Sequence, residues 1–190
     1  MKTGCMIRGR RILLVPYEKE LVKKYHNWME NEELREQTAS TRLTLDEEYA
    51  MQEEWMRDEN KATFIILESG DVQKTFEDAM IGDINLFIDE ENRCRAELSV
   101  MIAEPTARRK GYASEAVRLM IAFGARRLNL TEVFVKIGDE NKDSIAMFKR
   151  LGFEVVQHSD VFQETELAAP ESIVKDFGEF FDANATVSDV

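Results

Sequence analysis

The stretch RRKGYA, residues 108–113, decides how this chain is read. Arg108, Arg109 and Lys110 set three positive charges in a row in a protein whose formal net charge is -12. Gly111 follows. After it comes a run with Ala113, Val117, Met120, Ile121, Gly124 and Leu128 on one helical face. At a helix N-terminus several backbone N–H groups lack partners, and the dipole presents partial positive charge. A glycine there lets a bound group approach the main chain closely. Such a terminus suits an anion, and the three cations raise the local field, so the stretch reads as a phosphate or pyrophosphate cradle. Taken alone, a basic triplet before a helix is more often a solvated loop, and the context has to decide.

Two common phosphate loops do not fit. A nucleotide P-loop needs GKS or GKT after its second glycine, whereas the helix here opens GYASEAV. A dinucleotide fingerprint needs three spaced glycines, and this stretch has one, with Ala113 in place of a second. What fits is Arg-x-x-Gly-x-Ala preceded by ELSVMIAEP, residues 97–105. This pattern resembles the acetyl-CoA loop of the GNAT (Gcn5-related) N-acetyltransferase superfamily. About thirty residues on, NKDSIAMFKRLGF, residues 141–153, resembles that superfamily's next motif, Asn-x-x-Ser/Ala and a short helix ending in Leu-Gly-Phe. The resemblance spans roughly residues 8–168. The segments LVPY, YHNWM, LTLDEEYAMQEEW, GDINLF, VMIAEP and MFKRLGF further resemble the N-acetyltransferase nine family, linked by name to α- and β-tubulin N-termini.

The resemblance implies a site. Backbone N–H groups of Arg109, Lys110, Gly111, Ala113 and Ser114, with Tyr112 among them, would bind the CoA pyrophosphate, and Arg108 would fix the loop. Main-chain groups of Met101, Ile102 and Ala103 would pair with the pantetheine arm and polarise the acetyl carbonyl. Asn141 and Ser144 would hold the arm from its other side. Lys149 or Arg150 would reach the 3′-phosphate, or form an ordinary solvated helix end. Glu97 would act as catalytic base, or it is an exposed strand glutamate in an ion pair. Many relatives carry a tyrosine acid at the position of Phe148, which also falls beside the cofactor but has no proton to give. Water, Tyr112 or no acid at all would then serve the departing thiolate. The acceptor would enter between the first two helices and the late strands. Glu32, Glu33, Glu36, Asp46, Glu47 and Glu48 would attract a cationic N-terminus, or form a solvated face.

The implied activity is acetyl-CoA-dependent N-acetylation of a protein amine, an N-terminal α-amine on a tubulin-type substrate. Lysine or small-amine acetylation is an alternative, as is a non-catalytic acetyl-CoA-binding, microtubule-associated scaffold.

Bulk properties narrow the classes. The 190 residues suffice for one domain with a full core. No apolar run reaches the roughly 20 residues of a membrane span, and ILLV near the basic N-terminus is too short for a signal-peptide core. Glu18 and Glu20 follow too soon for a transit peptide, so the expectation is a cytosolic protein. Cys5 and Cys94 read as two reduced thiols, and His26 and His158 are too sparse for a metal site. A pI near 4.8 argues against nucleic acid as a partner.

Along the chain, strands are expected at 11–17, 62–68, 79–89, 95–103 and 132–137, with one or two more in 153–167. Helices are expected at 18–31, from Leu43 to about residue 60, at 113–128 and at 143–151. Residues 32–42 and 69–78 read as loops. The architecture is mixed α/β: a single central, mostly antiparallel, twisted sheet of GNAT type, with helices on both faces. The domain runs from 8 to 168. An acidic tail occupies 169–190, its first half docking through Ile173, Val174, Phe177, Phe180 and Phe181 and its end disordered.

Overall fold

Seven consecutive buried positions along Lys61–Glu68 mark a strand covered on both faces, and the fold is built outward from it. The structure is a computed structural model and describes residues 4–70, 73–184 and 186–189. The strands are β1 (Cys5–Arg8), β2 (Ile12–Pro16), β3 (Lys61–Glu68), β4 (Met80–Ile88), β5 (Arg95–Ile102), β6 (Glu132–Gly138), β7 (Glu154–Ser159), β8 (Glu164–Ala169) and β9 (Thr186–Asp189). They form one sheet in the order β7-β8-β6-β5-β4-β3-β2-β1-β9. Each pairing is antiparallel except that of β5 with β6.

Successive strand residues point to opposite faces, and the two faces carry different cores. On one, Leu14, Phe64, Ile66, Ile84, Leu86 and Val135 meet Val117, Met120 and Ile121 of α5 (Tyr112–Arg127). Phe148 of α6 (Lys142–Arg150) and Val174 of α7 (Glu171–Asn184) join that core. On the other, Leu13, Val15, Ile65, Leu67 and Met101 meet Tyr25 and Trp28 of α1 (Val22–Met29). Tyr49 and Trp55 of α3 (Leu45–Arg57) close over this second core. A capping box at Thr44 and Glu47 starts α3: Glu47 N–H donates to Thr44 Oγ1, and the Glu47 carboxylate accepts from Thr44 N–H at 2.8 Å.

The chain departs from expectation in its loops and at its ends. Asn31 caps a short helix, α2 (Glu32–Gln37), inside the expected loop. Thr75 caps another, α4 (Phe76–Ala79), while Asp71 and Val72 of that loop lie outside the described residues. In the tail, Ile173 and Phe177 pack on the first core as expected. Its end is not disordered where described: β9 pairs with β1, from Cys5↔Asp189 to Arg8↔Thr186. Ala185 and Val190 lie outside the described residues, as do the side chains of Phe180 and Phe181. Strand β1 itself escaped notice because four residues give too short a pattern to read.

Candidate active site

Gly111 has φ +82°, a left-handed conformation open to glycine at little steric cost, and it sits at the N-cap of α5. Arg11 holds this turn from the far end of the sequence. Its Nη1 donates to the Lys110 carbonyl at 2.7 Å and its Nη2 to the Gly111 carbonyl at 3.3 Å. Glu115, in the first turn of α5, accepts from Arg11 Nε at 2.9 Å and from its backbone N–H at 2.8 Å. In a trans peptide the C=O and the following N–H point in opposite directions. Pulling the carbonyls of Lys110 and Gly111 toward Arg11 therefore turns the N–H groups of Gly111 and Tyr112 to the opposite side, where an anion would sit. Sequence reading missed Arg11, which lies 104 positions from Glu115; its only signal was a basic residue just before β2.

The other loop residues fix the cradle to its surroundings. Arg108 Nε donates to the Ile102 carbonyl at 3.0 Å, tying the loop to the end of β5. Arg109 forms an ion pair with Asp143 of α6, linking the two sequence motifs. Lys110 is exposed; Ala113 and Ser114 are half-buried in the first turn of α5. The Tyr112 hydroxyl donates to Glu68 at 2.5 Å, and this bond raises its pKa, which makes it a poorer acid.

Next to the cradle the sheet divides. Strand β5 pairs with β6 only from Arg95↔Glu132 to Glu97↔Phe134. From Leu98 to Ile102 its register continues on the β4 side alone, ending at Gly82↔Ile102. A gap beside a strand is where an extended arm adds main-chain bonds, and Met101, Ile102 and Ala103 border it. The Ala103 N–H already donates to Ile81 O at 2.9 Å and the Ile102 carbonyl accepts from Arg108, so those two groups enter the site with partners in place. An added Cβ on Gly82 would overlap the Met101 carbonyl oxygen, which is why a glycine stands there.

Beyond the gap, the Asn141 side chain caps α6 by accepting from Ser144 N–H at 3.1 Å. Phe148 points into the first core, 3% exposed, its ring centroid 5.0 Å from that of Phe153. The structure thus sets the Phe148 ring in the first core. Glu97 lies on the second-core face, its side chain 33% exposed and paired with Lys136 at 3.2 Å. Of the acidic residues near the expected entrance, Glu32, Glu33, Glu36, Asp46 and Glu47 are exposed, and only Glu48 turns inward.

Glu48 joins a buried polar group that the sequence did not reveal. Asp83, opposite Met101 in the register, is 3% exposed. It accepts from Asn85 Nδ2 at 2.7 Å, while Asn85 Oδ1 accepts from Thr63 Oγ1 at 2.7 Å. Burial pushes Asp83 up to about 6 and Lys61 down to about 7, and it also raises Tyr17, Tyr25 and Glu48. Rings wall this group: Tyr17 lies 5.0 Å from Tyr25 and 6.2 Å from Trp55. A cavity of about 590 Å³, lined in part by Tyr17, Gln52, Trp55, Lys61 and Thr63, opens onto it. No sequence spacing joins these residues, because they come from β3, β4, α1, α3 and the end of β2.

Among the described residues no cluster of His, Cys, Asp and Glu is placed to hold a metal ion, and no helix is long and apolar enough to cross a membrane.

A strand that leaves its parallel neighbour beside a left-handed glycine at a helix N-terminus is the arrangement of an acyl-CoA-dependent acetyltransferase. Residues 11–154 match the family model of the acetyltransferase (GNAT) domain, and the chain belongs to that family as an acyltransferase. Within it, the chain belongs with the N-acetyltransferase 9 proteins. It is 47% identical over 172 residues to the mouse alpha/beta-tubulin-N-acetyltransferase 9, covering 88% of this chain and 71% of that protein. It is 40% identical over 199 residues to the Caenorhabditis elegans N-acetyltransferase 9-like protein, covering 100% and 98%. The fold is similar to that of the Vibrio cholerae spermidine N-acetyltransferase solved with CoA and spermine. There the TM-score is 0.72 at 17% identity, over 92% of this chain and 99% of that one.

Proposed function

We propose that the protein transfers the acetyl group of acetyl-CoA to an N-terminal α-amine of a protein, with tubulin-type N-termini as the substrate class. The observation that carries the cofactor half is the Gly111 cradle, braced by Arg11, beside the gap between β5 and β6. A compact polyanion such as the CoA pyrophosphate suits N–H groups turned to one side at a helix N-terminus. The acceptor half is supported by relatives named for tubulin in mouse, human and Drosophila, at 47%, 47% and 42% identity. An acidic molecular surface is compatible with a cationic acceptor terminus.

Incubating the protein with acetyl-CoA and peptides copying tubulin N-termini, read by mass spectrometry, tests the reading. Mass gain is expected on the N-terminal residue; gain on lysine alone refutes the α-amine assignment, and tight CoA binding without transfer refutes catalysis. Gly111→Glu sets a carboxylate against the expected pyrophosphate, so a folded variant with undiminished CoA affinity refutes the cradle.

A further inference from the structure

Three atoms stand out among the buried polar groups of the second core: Tyr17 Oη, Glu48 Oε1 and His26 Nδ1 have no hydrogen-bond partner. A buried polar atom without a partner is costly and calls for an explanation. The third, His26 Nδ1, lies 3.5 Å from Glu48 Oε2, which leaves Tyr17 Oη and Glu48 Oε1 in the buried region that holds Asp83. Tyr17 senses the charges of both Glu48 and Asp83, and Tyr25 senses Asp83, Tyr17 and Glu48. Asp83 has one side-chain donor, Asn85, and a carboxylate offers about four lone-pair positions. The second core therefore presents three buried groups with acceptor capacity to spare, Asp83, Glu48 Oε1 and Tyr17 Oη, among the rings of Tyr25 and Trp55.

A primary ammonium has three N–H donors and is attracted to aromatic faces. An amine nitrogen already lies against this wall: Lys61 Nζ is 2.9 Å from the Trp55 ring centroid. We propose that Asp83, Glu48 and Tyr17 form the cage that receives the acceptor's primary ammonium, and that Asp83 removes its proton before transfer. This assignment rests on the acetyl-transfer reading above. Asp83 faces Met101 across the β4–β5 register, which sets the cage beside the strand that borders the gap.

The chemistry balances. The ammonium gives one proton to the Asp83 carboxylate, which returns it to solvent after turnover. The amine lone pair forms the new C–N bond at the thioester carbonyl as the C–S bond breaks. CoA leaves as the thiolate, which takes the second N–H proton. The charged and titratable groups that act on Asp83 are Lys61 of β3, Tyr25 of α1 and Tyr17, beside its donor Asn85. Burial sets the Asp83 carboxyl near 6, where it is ionised at neutral pH yet basic enough to accept a proton.

The test uses the full chain, acetyl-CoA and two peptides: one free at its N-terminus and without lysine, the other N-acetylated with a single lysine. Asp83→Asn is expected to lower kcat/KM by about 100-fold or more and to abolish the acidic limb of the pH–rate profile. Its CoA affinity, by calorimetry, and its melting temperature should not fall. Tyr17→Phe should raise KM more than it lowers kcat, and because it removes an orphan hydroxyl it keeps the test open if Asp83→Asn does not fold. Wild-type kcat/KM and an unmoved acidic limb in Asp83→Asn, or a parallel loss of CoA affinity, overturn the cage while leaving the transfer reading intact. Transfer to the lysine peptide alone keeps the cage and overturns the α-amine assignment. Transfer to neither peptide by wild-type protein overturns both.

Discussion

Arg11→Met cuts the brace of the cofactor cradle while keeping a side chain of similar length. Three side-chain bonds disappear, one to Glu115 and two to the carbonyls of Lys110 and Gly111. The side chain of Arg11 is 46% exposed, so these bonds contribute at the low end, together about 1–2 kcal/mol of folding stability. For a domain of this size that lowers the melting temperature by about 2–8 °C. The larger consequence falls on binding. Without Arg11 the peptide planes at 110–111 and 111–112 rotate more freely, and the N–H groups of Gly111 and Tyr112 lose their fixed aim. A hydrogen bond to a charged phosphate contributes about 1.5–3 kcal/mol. Weakening the pair by about 1.4 kcal/mol reduces CoA affinity about tenfold. Titration calorimetry with CoA at fixed ionic strength measures this, beside a thermal melt. Arg11→Lys is the control, because a lysine keeps the charge but cannot fork to two carbonyls and a carboxylate together; it should lose nearly as much affinity. A folded Arg11→Met variant that binds CoA like the wild type refutes the brace, and an Arg11→Lys variant that does so shows that charge alone was acting.

Other consequences can be measured directly. Gly82→Ala drives a Cβ into the Met101 carbonyl, and a backbone obstacle puts the cost near the upper end for overpacking, about 3 kcal/mol; a urea midpoint equal to that of the wild type would contradict it. Phe148→Tyr buries a hydroxyl in an apolar core, so it should destabilise by about 1–3 kcal/mol and leave kcat no higher. A faster Phe148→Tyr enzyme would show that the position does reach the reaction. Asp83 is raised in the folded state from 3.8 to about 6, so the native protein favours its protonated form. The associated loss of stability is absent below pH 4 and grows as pH rises through 6, to about 3 kcal/mol. Urea unfolding should find Asp83→Asn more stable than the wild type at pH 7.5 by up to that amount, with the advantage gone at pH 4; an equal difference at both values would exclude the buried charge as its source.

The legible part of this protein was local. RRKGYA and NKDSIAMFKRLGF each describe one helix start, where residues a few positions apart become neighbours through helical geometry alone, and both helices begin as expected. The central strands were readable because apolar runs such as ATFIILE, residues 62–68, need burial on both faces. Single side chains were less legible. Phe148 falls at the position of a tyrosine in many relatives, and the sequence did not show that its ring would pack against Phe153. The N-terminal and C-terminal strands were missed because each is only four residues long and is fixed by pairing with distant segments, β1 with β2 and β9, and β9 with β1.

The sequence by itself determined the family, the glycine turn that opens α5 and the order of the central elements, since each of these is encoded in contiguous residues. Only the tertiary structure decided what surrounds the reacting groups. Arg11 reaches Gly111 because β2 and the start of α5 lie side by side. Asp83 gains its raised pKa because four other segments exclude water from it. Such properties depend on distances between residues far apart in the chain, and a charge becomes basic, or a carbonyl fixed, through desolvation and contacts that no linear spacing records.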